Sequence, residues 1–214
     1  MKTVVVKVDP ADPELLEIEK AVELLRAGKL VAFPTDTVYG VGADVSNDEA
    51  VEQIFIAKKR EPGKPLQVLI ASKTDLQIIA RTQSDALDRL ASEFWPGPLT
   101  VVMPAREDFP RRVRCGGDTI GVRMPDNSIA LKLIEAFGRP VAATSANISG
   151  LPDPVDAAGV TEYLGGKIHL IIDGGSTPGN VPSTVLDISV HPPVVIRQGK
   201  LAVEDLRKVL GFVL

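Results

Sequence analysis

Short apolar runs alternate along the chain with longer stretches whose apolar residues recur at helical spacing. The first run, TVVVKV, is followed by a stretch with apolar residues at 15, 18, 22 and 25, which is the spacing of one helical face. Several runs are apolar at every position, as in strands covered on both faces of a sheet. The pattern predicts strands over residues 3–8, 30–33, 66–71, 99–105, 119–124, 140–145, 168–172, 184–189 and 194–197, and helices over 13–28, 47–59, 84–95, 128–137, 154–164 and from 203 onward.

The order of these elements predicts an α/β fold with a mixed sheet. Strands and helices interleave for most of the chain, which favours parallel neighbours joined by helices. No helix separates strand 99–105 from strand 119–124, or strand 184–189 from strand 194–197, so these pairs are expected to be antiparallel. With 214 residues and no long linker, we expect one domain over residues 1–214. The predicted fold is a single-domain, twisted, mixed parallel and antiparallel sheet with helices on its faces.

Charge and cysteine content exclude several classes of function. The net charge of −4 argues against a broadly basic nucleic-acid-binding surface, although a local basic patch remains compatible with it. Cys115 is the only cysteine and there are two histidines, so neither an intramolecular disulfide nor an ordinary zinc site is expected. The N-terminal apolar run is too short for a signal peptide, and no run reaches the ~20 residues of a membrane span. A cytoplasmic protein is the expectation.

Polar residues crowd the end of the second strand, in VAFPTDTVYGVG at residues 31–42. Thr35, Asp36, Thr37 and Tyr39 follow a buried strand, where a turn needs only one or two polar side chains. Ligands of open α/β sheets bind at the carboxyl ends of strands, so this segment is a candidate binding site. The alternative is an ordinary polar turn between proline and glycine.

A basic cluster follows the helix over 47–59, which the pattern Ser46-x-x-Glu49 is expected to open as a capping box. Helical spacing places Lys58 at the end of the apolar face, and Arg60 and Lys64 follow within one loop. Three cations near the polar segment would suit a triphosphate. The alternative is a solvated loop whose cations favour the helix C-terminus.

Two further segments carry polar residues at strand ends or within strands. Ser145 and Asn147 lie on the same side of a strand end and can bind a sugar, a phosphate or a carboxylate, or they can cap a turn. Arg123 lies in an apolar strand, so it needs an acidic side chain or a ligand carboxylate as its partner. Arg197, near the end of another strand, raises the same question.

The remaining loops point to no nucleophile. The arginine-rich segment 106–117 has one aromatic residue, so contact with an RNA backbone is conceivable but a mobile, solvated loop is the expectation. Neither histidine lies near a candidate serine nucleophile in the sequence. The glycine- and proline-rich segment 173–183 is interpreted as a loop beside a site.

Taken together, these segments resemble the YrdC (TsaC) family, whose members make L-threonylcarbamoyladenylate. The resemblance covers nearly the whole chain and follows one order: FPTDTVYGVGAD, KKREPGKPLQVLI, FWPGPLTVVM, TIGVRMP, VAATSANISG, and STVLDI with VIRQG. The family's Lys-x-Arg and Ser-x-Asn signature matches Lys58, Arg60, Ser145 and Asn147. Each segment alone is a weak signal, whereas six in the same order are a strong one.

The resemblance implies an enzyme with a concave basic hollow and three substrates: L-threonine, bicarbonate or CO2, and ATP with Mg²⁺. The product would pass to a separate threonylcarbamoyl transferase complex that modifies tRNA. Lys58 and Arg60 are implied as catalytic residues. The implied ATP-binding residues are Lys58, Arg60, Lys64, Thr119, Ser145, Asn147 and Arg197, and the implied L-threonine-binding residues are Thr35, Thr37, Tyr39, Arg123, Ala143 and Ser183.

One departure from the family and two alternative functions stay open. Many relatives have a histidine where this chain has Leu69, so one amino-acid contact is missing or replaced. Some relatives carry an additional C-terminal domain, which this sequence does not show. The main alternative is a double-stranded RNA or tRNA-binding module without synthase activity. A carbamoyl-transfer domain is the second, and would use carbamoyl phosphate.

Overall fold

All nine runs predicted to be strands form strands of one sheet in the computed structural model, which describes residues 2–13, 15–81, 84–179 and 181–211. A tenth strand lies in the polar segment after the second strand, where the pattern does not predict one. The strands are β1 Val4–Lys7, β2 Val31–Phe33, β3 Gly40–Asp44, β4 Gln67–Leu69, β5 Leu99–Pro104, β6 Thr119–Arg123, β7 Val141–Ser145, β8 Leu170–Asp173, β9 Thr184–Asp187 and β10 Val194–Arg197.

The sheet is mixed, as the order of elements predicted. Its strand order is β1-β8-β2-β3-β7-β4-β6-β5-β9-β10. The pairs β1–β8, β2–β8, β4–β6 and β5–β9 are parallel. The remaining pairs are antiparallel, among them β5–β6 and β9–β10, the two for which no intervening helix was found.

The packing of the unpredicted strand β3 between its neighbours requires a glycine at position 42. A Cβ on Gly42 would lie 2.7 Å from Cγ1 of Val141 and 3.0 Å from Cε1 of Phe33. The glycine therefore lets β3 pack beneath side chains from its two neighbours in the sheet. The groups that approach the backbone closely at Gly42 are thus side chains of the protein.

Helices cover the two faces of the sheet unequally. The apolar residues of α2, α3, α4, α6 and α7 join one large cluster on the first face, whereas only α1 and α5 pack on the second. The cluster beneath α1 and α5 lies chiefly on β2, β7 and β8. The helices are α1 Leu15–Arg26, α2 Asp48–Lys58, α3 Leu76–Ile79 (preceded by a 3₁₀ turn, Lys73–Asp75), α4 Asp85–Phe94, α5 Ser128–Phe137, α6 Ala157–Leu164 and α7 Val203–Leu210.

The predicted capping box at the start of α2 is wrong by one residue. Asn47 is the N-cap, and its Oδ1 accepts a hydrogen bond of 3.0 Å from the amide of Ala50. Ser46 cannot cap the helix because its hydroxyl and its amide both donate to Oδ1 of Asp44, at 2.7 and 2.9 Å. The predictions of a helix from residue 13 and of a domain over residues 1–214 include residues 1, 14, 82–83, 180 and 212–214, which lie outside the described residues.

Candidate active site

A cavity of about 430 Å³ lies on the second face of the sheet, over the strands that α1 and α5 leave uncovered. Side chains alternate along each strand, so the positions between buried apolar residues line its floor. On β5, for example, Val101 and Met103 enter the core beneath, while Thr100 and Val102 face the cavity. Eight of the implied site residues line this cavity: Thr37, Arg60, Thr119, Arg123, Ala143, Ser145, Ser183 and Arg197.

Five implied site residues lie outside the cavity wall: Thr35, Tyr39, Lys58, Lys64 and Asn147. Thr35 closes its own turn, because its hydroxyl donates to the carbonyl of Val38 at 2.7 Å and accepts from the amide of Thr37 at 3.2 Å. Lys64 is exposed and pairs with Glu61 at 2.8 Å. Of the three cations expected to converge near the polar segment, Lys58, Arg60 and Lys64, Arg60 lines the cavity and the two lysines do not.

Tyr39 anchors the loop that follows β8. Its hydroxyl donates to the carbonyl of Gly175 at 2.6 Å and accepts from the amide of Gly174 at 3.2 Å. Burial raises the pKa of this phenol to about 12, so it stays protonated as a donor. At the far end of the same loop, Pro182 and Ser183 line the cavity, which agrees with the interpretation of 173–183 as a loop beside a site. Residue 180 of that segment lies outside the described residues.

Arg123 finds the acidic partner that its position in an apolar strand required. Its guanidinium donates to a carboxylate oxygen of Asp36, to the hydroxyl of Thr37 at 3.1 Å and to the carbonyl of Gly97 at 3.0 Å. Burial lowers the pKa of Arg123, and the charge of Asp36 acts in the opposite direction. The second carboxylate oxygen of Asp36 is buried without a partner among the described residues. The polar segment after β2 thus holds Arg123 in place at one end of the cavity.

Lys58 forms a buried clamp between α2 and the end of β7. Its ammonium donates to the carbonyl of Ser145, to the carbonyl of Asn147 at 2.6 Å and to Oδ1 of Asn147 at 3.0 Å. Ser145 Oγ donates to the same Oδ1 at 2.6 Å. Burial, together with the smaller effect of the charge of Arg60, lowers the pKa of Lys58 to about 7. Three of the four signature residues, Lys58, Ser145 and Asn147, therefore form one hydrogen-bonded network in which Lys58 and Asn147 position Ser145.

Arg60 and Arg197 supply the cationic part of the cavity wall. Arg60 is fixed by hydrogen bonds to the carbonyls of Lys64 at 3.1 Å and Pro65 at 2.9 Å. Arg197, exposed at the rim, donates to the carbonyl of Ser183 at 2.9 Å and to its hydroxyl at 3.3 Å. Burial lowers the pKa of Arg60. A guanidinium remains charged at neutral pH, so both side chains keep donors for an anionic ligand.

Sequence reasoning missed five polar residues that line the cavity: Gln67, Thr100, Thr144, Asp153 and Asp187. Gln67, Thr100 and Asp187 lie on strands, each next to a buried apolar residue that faces the core on the other side of the sheet. These three polar residues therefore share a face with Arg123. This alternation was visible in the sequence, because a polar residue interrupts an apolar run at each of these positions. Asp153 lies in a loop, where no such signal exists; its charge raises the pKa of Lys58 and of Arg197.

The arginine-rich segment 106–117 is not the solvated loop that we expected. Arg114 is buried and donates to the carbonyls of Phe109 and Gly117, both at 2.8 Å, so it forms the centre of the segment. Arg106 pairs with Asp108 within the segment, and Arg112 pairs with Glu52. Two of the four arginines are thus paired with carboxylates and a third is buried, which reduces the exposed positive charge that the RNA-binding alternative requires.

Metal-binding and membrane-spanning features were searched for in the described ranges. No group of three or more His, Cys, Asp or Glu side chains comes together there as metal ligands. Within the same ranges, no helix is long and apolar enough to cross a membrane. Neither histidine nor Cys115 is among the residues that line the cavity.

Comparison with known proteins gives consistent results for family and fold. The family model Sua5_yciO_yrdC, described as telomere recombination, matches residues 23–199. A Pyrococcus abyssi protein named threonylcarbamoyl-AMP synthase is 50% identical over 195 residues, 91% of this chain. A Bacillus subtilis protein of that name is 42% identical over 196 residues, also 91% of this chain. The solved structure of P. abyssi Sua5 complexed with L-threonine covers 98% of this chain with 48% identity and a TM-score of 0.95.

These matches confirm the predicted fold class and the resemblance found in the sequence. They also differ from this chain in length. The chain spans 57% of each of the two curated relatives and 61% of the solved P. abyssi chain.

Proposed function

The chain belongs to the Sua5/YciO/YrdC family, and we propose that it is a nucleotidyltransferase that makes L-threonylcarbamoyladenylate. The substrates are L-threonine, bicarbonate or CO2, and ATP, and the second product is pyrophosphate. The proposal transfers to this chain the activity for which the P. abyssi and B. subtilis relatives are named. It also transfers L-threonine as a ligand from the P. abyssi structure.

One observation carries the proposal: the two ends of a single cavity carry different groups. At one end, Arg123 presents guanidinium N–H groups suited to an amino-acid carboxylate, with Thr37 beside it. At the other end, Arg60 presents donors suited to phosphate, and Arg197 adds a third guanidinium at the rim, beside Ser183. A ligand with an amino acid at one end and a nucleotide at the other matches this arrangement.

The chemistry needs no protein nucleophile. The amine of L-threonine attacks the carbon of CO2 and loses a proton, which forms a carbamate. An oxygen of the carbamate then attacks the α-phosphorus of ATP, and the bond to the β-phosphate oxygen breaks as pyrophosphate leaves. The residues that line the cavity contribute position and charge, holding the carbamate and the α-phosphate in line and stabilising the charge that develops on pyrophosphate.

The assigned roles follow from where each side chain lies. Arg60, Arg197, Thr119 and Ser145 bind the nucleotide. Ala143 lines the floor between the two ends, beside the L-threonine carboxylate. Lys58 and Asn147 act through Ser145, Thr35 and Tyr39 hold the adjoining loops, and Lys64 contacts phosphate only if its exposed side chain turns inward.

Mg²⁺ and the product acceptor complete the proposal. Mg²⁺ would enter with ATP as the MgATP substrate and would offset the charge that develops on pyrophosphate. The product passes to a threonylcarbamoyl transferase complex for modification of tRNA, in the cytoplasm. Direct RNA binding is the less favoured alternative, because Arg106 and Arg112 are paired with carboxylates and Arg114 is buried.

The test is pyrophosphate release from MgATP and bicarbonate, with and without L-threonine. We expect release that depends on L-threonine, and a loss of at least about 100-fold in Arg60→Met/Arg197→Met, since each variant removes a charged donor to phosphate. Arg81→Met is the matched control, because Arg81 is exposed and pairs only loosely with Glu107, at 3.5 Å. Folded wild-type protein that releases no pyrophosphate, or releases it equally without L-threonine, contradicts the proposal. Salt-dependent tRNA binding would then favour the RNA-binding module.

A further inference from the structure

Gln67 lies on the floor of the cavity midway between its two ends. On β4 it is paired with Ala143 of β7 on one side and with Gly121 of β6 on the other. Arg123 lies two residues beyond Gly121 in one direction, and Ser145 lies two residues beyond Ala143 in the opposite direction, because β4 and β7 are antiparallel. Two residues of strand span roughly 6.6 Å. Gln67 is thus about equally far from the amino-acid end and the nucleotide end.

A chain of hydrogen bonds determines which atom of Gln67 is free to bind a ligand. Arg197 donates to Ser183 Oγ at 3.3 Å, Ser183 Oγ and Thr100 Oγ1 are 2.9 Å apart, and Thr100 Oγ1 donates to Gln67 Oε1 at 3.1 Å. Thr100 uses its one hydroxyl hydrogen on Gln67 Oε1, so Ser183 donates to Thr100 while it accepts from Arg197, which only donates. The chain therefore runs from Arg197 to Gln67, and each bond polarises the next. Oε1 of Gln67 is thereby committed as an acceptor.

The amide nitrogen of Gln67, Nε2, takes no part in this chain of hydrogen bonds. No group in the described part of the chain accepts a hydrogen bond from Nε2, although the side chain is partly buried and lines the cavity. Two N–H donors are therefore open to the cavity, where a ligand oxygen that displaces water can accept from them. An unpaired amide donor in a desolvated site is unfavourable, so a ligand oxygen at this position gains affinity.

The chemistry of the donor points to a small trigonal anion. Between the L-threonine amine and the α-phosphate, the proposed reaction places only the carbon derived from bicarbonate. A cationic side chain here would neutralise the carbamate oxygen and weaken it as a nucleophile. A neutral amide binds an anionic oxygen while leaving it negatively charged.

We propose that Nε2 of Gln67, oriented by Thr100, Ser183 and Arg197, is the binding site for the carboxylate oxygen of bicarbonate or of the carbamate formed from it. The inference rests on the proposed function and adds the location of the third substrate. Thr100 and Ser183 are positioning residues in this assignment, since they act through Gln67.

The sharpest test is Gln67→Glu, which keeps an oxygen to accept from Thr100 but replaces the two N–H donors with a negative oxygen. Gln67→Met, which has no charge, is the second variant. In the pyrophosphate assay we expect KM for bicarbonate to rise by about 10- to 100-fold in both, as for loss of a hydrogen bond to a charged group. KM for L-threonine and for MgATP should change by less than about threefold. Gln77→Glu and Gln77→Met, on the exposed side of α3, are the matched controls and should match wild type.

A binding measurement separates this inference from the proposed function. The carbon-13 line width of labelled bicarbonate is recorded with wild-type protein and with Gln67→Glu, first alone and then with L-threonine. Broadening by wild type that is lost in the variant supports the site even if no pyrophosphate is released. Broadening without L-threonine identifies bicarbonate as the ligand, and broadening only with L-threonine identifies the carbamate. Unchanged KM for bicarbonate with unchanged broadening, or a larger effect on KM for L-threonine or MgATP, overturns the inference and leaves the synthase proposal standing.

Discussion

The two ends of the second sheet face have the same alternation of side chains but different residues at the positions that point outward. Under α1 and α5 those positions are apolar, as at Val31, Phe33 and Ile172. Over β4, β5 and β6, where no helix packs, they include Gln67 and Thr100. On the opposite face of the sheet, the apolar positions continue under both ends.

The difference shows how a site is recognised in this fold. A polar residue at a position that alternates with core residues is expensive under a helix, because it would be buried without water. It is tolerated where the sheet stays open, and it becomes useful when a ligand supplies the missing partner. The covered end of the face should therefore determine stability, and the open end should determine activity. Four predictions test that division, in order of expected size.

The largest effect is expected at Arg123, because its side chain both pairs with a buried carboxylate and lines the cavity. Arg123→Met leaves the buried carboxylate of Asp36 without its cation, and breaking a buried pair in this way costs about 3–5 kcal/mol of unfolding free energy. Urea denaturation measures the loss. The double variant Asp36→Asn/Arg123→Met should recover part of the stability, because no buried charge remains, but should not recover L-threonine-dependent activity. Equal stability of the single and double variants would show that the ion pair does not hold this end together.

A purely structural effect is expected at the covered end. Leu133 in α5 is fully buried in the second cluster, so Leu133→Ala should lower the free energy of unfolding by about 2–5 kcal/mol through lost burial and a cavity. Activity per folded molecule should stay within about twofold of wild type. A large change in KM for any substrate, measured well below the unfolding temperature, would contradict the division between the two ends.

A pair of glycines compares the two ends with the same substitution. Gly42→Ala places a methyl group 2.7 Å from Val141 Cγ1 in the packed end, and such overpacking costs about 1–3 kcal/mol. A Cβ on Gly121, on the open floor, would lie 3.1 Å from Thr100 Cγ2 and 3.7 Å from Val102 Cγ2. Gly121→Ala should therefore cost less stability, and it should raise KM for substrates. Thermal unfolding of both variants measures the loss of stability, and steady-state kinetics measures KM for the substrates. The reverse order of stabilities would refute the comparison.

The smallest effect concerns pH and the clamp at Lys58. Its pKa is lowered to about 7 in the folded protein, whereas an unfolded lysine titrates near 10.5. Between these values the unfolded chain binds more protons, so stability should rise with pH above about 7, by at most about 1.4 kcal/mol per pH unit. The measurement is the unfolding free energy of wild type minus that of Lys58→Met, from pH 6 to pH 9. A difference that does not change between pH 6 and pH 9 would mean that the carbonyl oxygens of Ser145 and Asn147 keep Lys58 charged, and would contradict the prediction.

Local sequence determined most of the elements and the identity of the family. Nine strands and six helices follow from apolar spacing, because burial of alternate or helical positions is what forms a core. The polar residues after β2, the basic cluster after α2 and the Ser-x-Asn pair were all identified as candidates from residue type and position. Arg123 was predicted to need a partner on the elementary ground that a buried charge must be paired.

Only the tertiary structure decided which candidates face the cavity and which support it. Asp36 was found beside Arg123, 87 positions away in the chain, and Lys58 was found bound to carbonyls of the β7 end rather than open to a ligand. Strand β3 and the buried Arg114 likewise depend on neighbours that are distant in sequence or on backbone carbonyls brought together by a turn. A sequence pattern shows the spacing of apolar residues within each helix or strand. Which part of a sheet face stays uncovered is determined only when the ten strands and their helices have packed together. That uncovered area is what separates Gln67 and Thr100 from the core residues beside them.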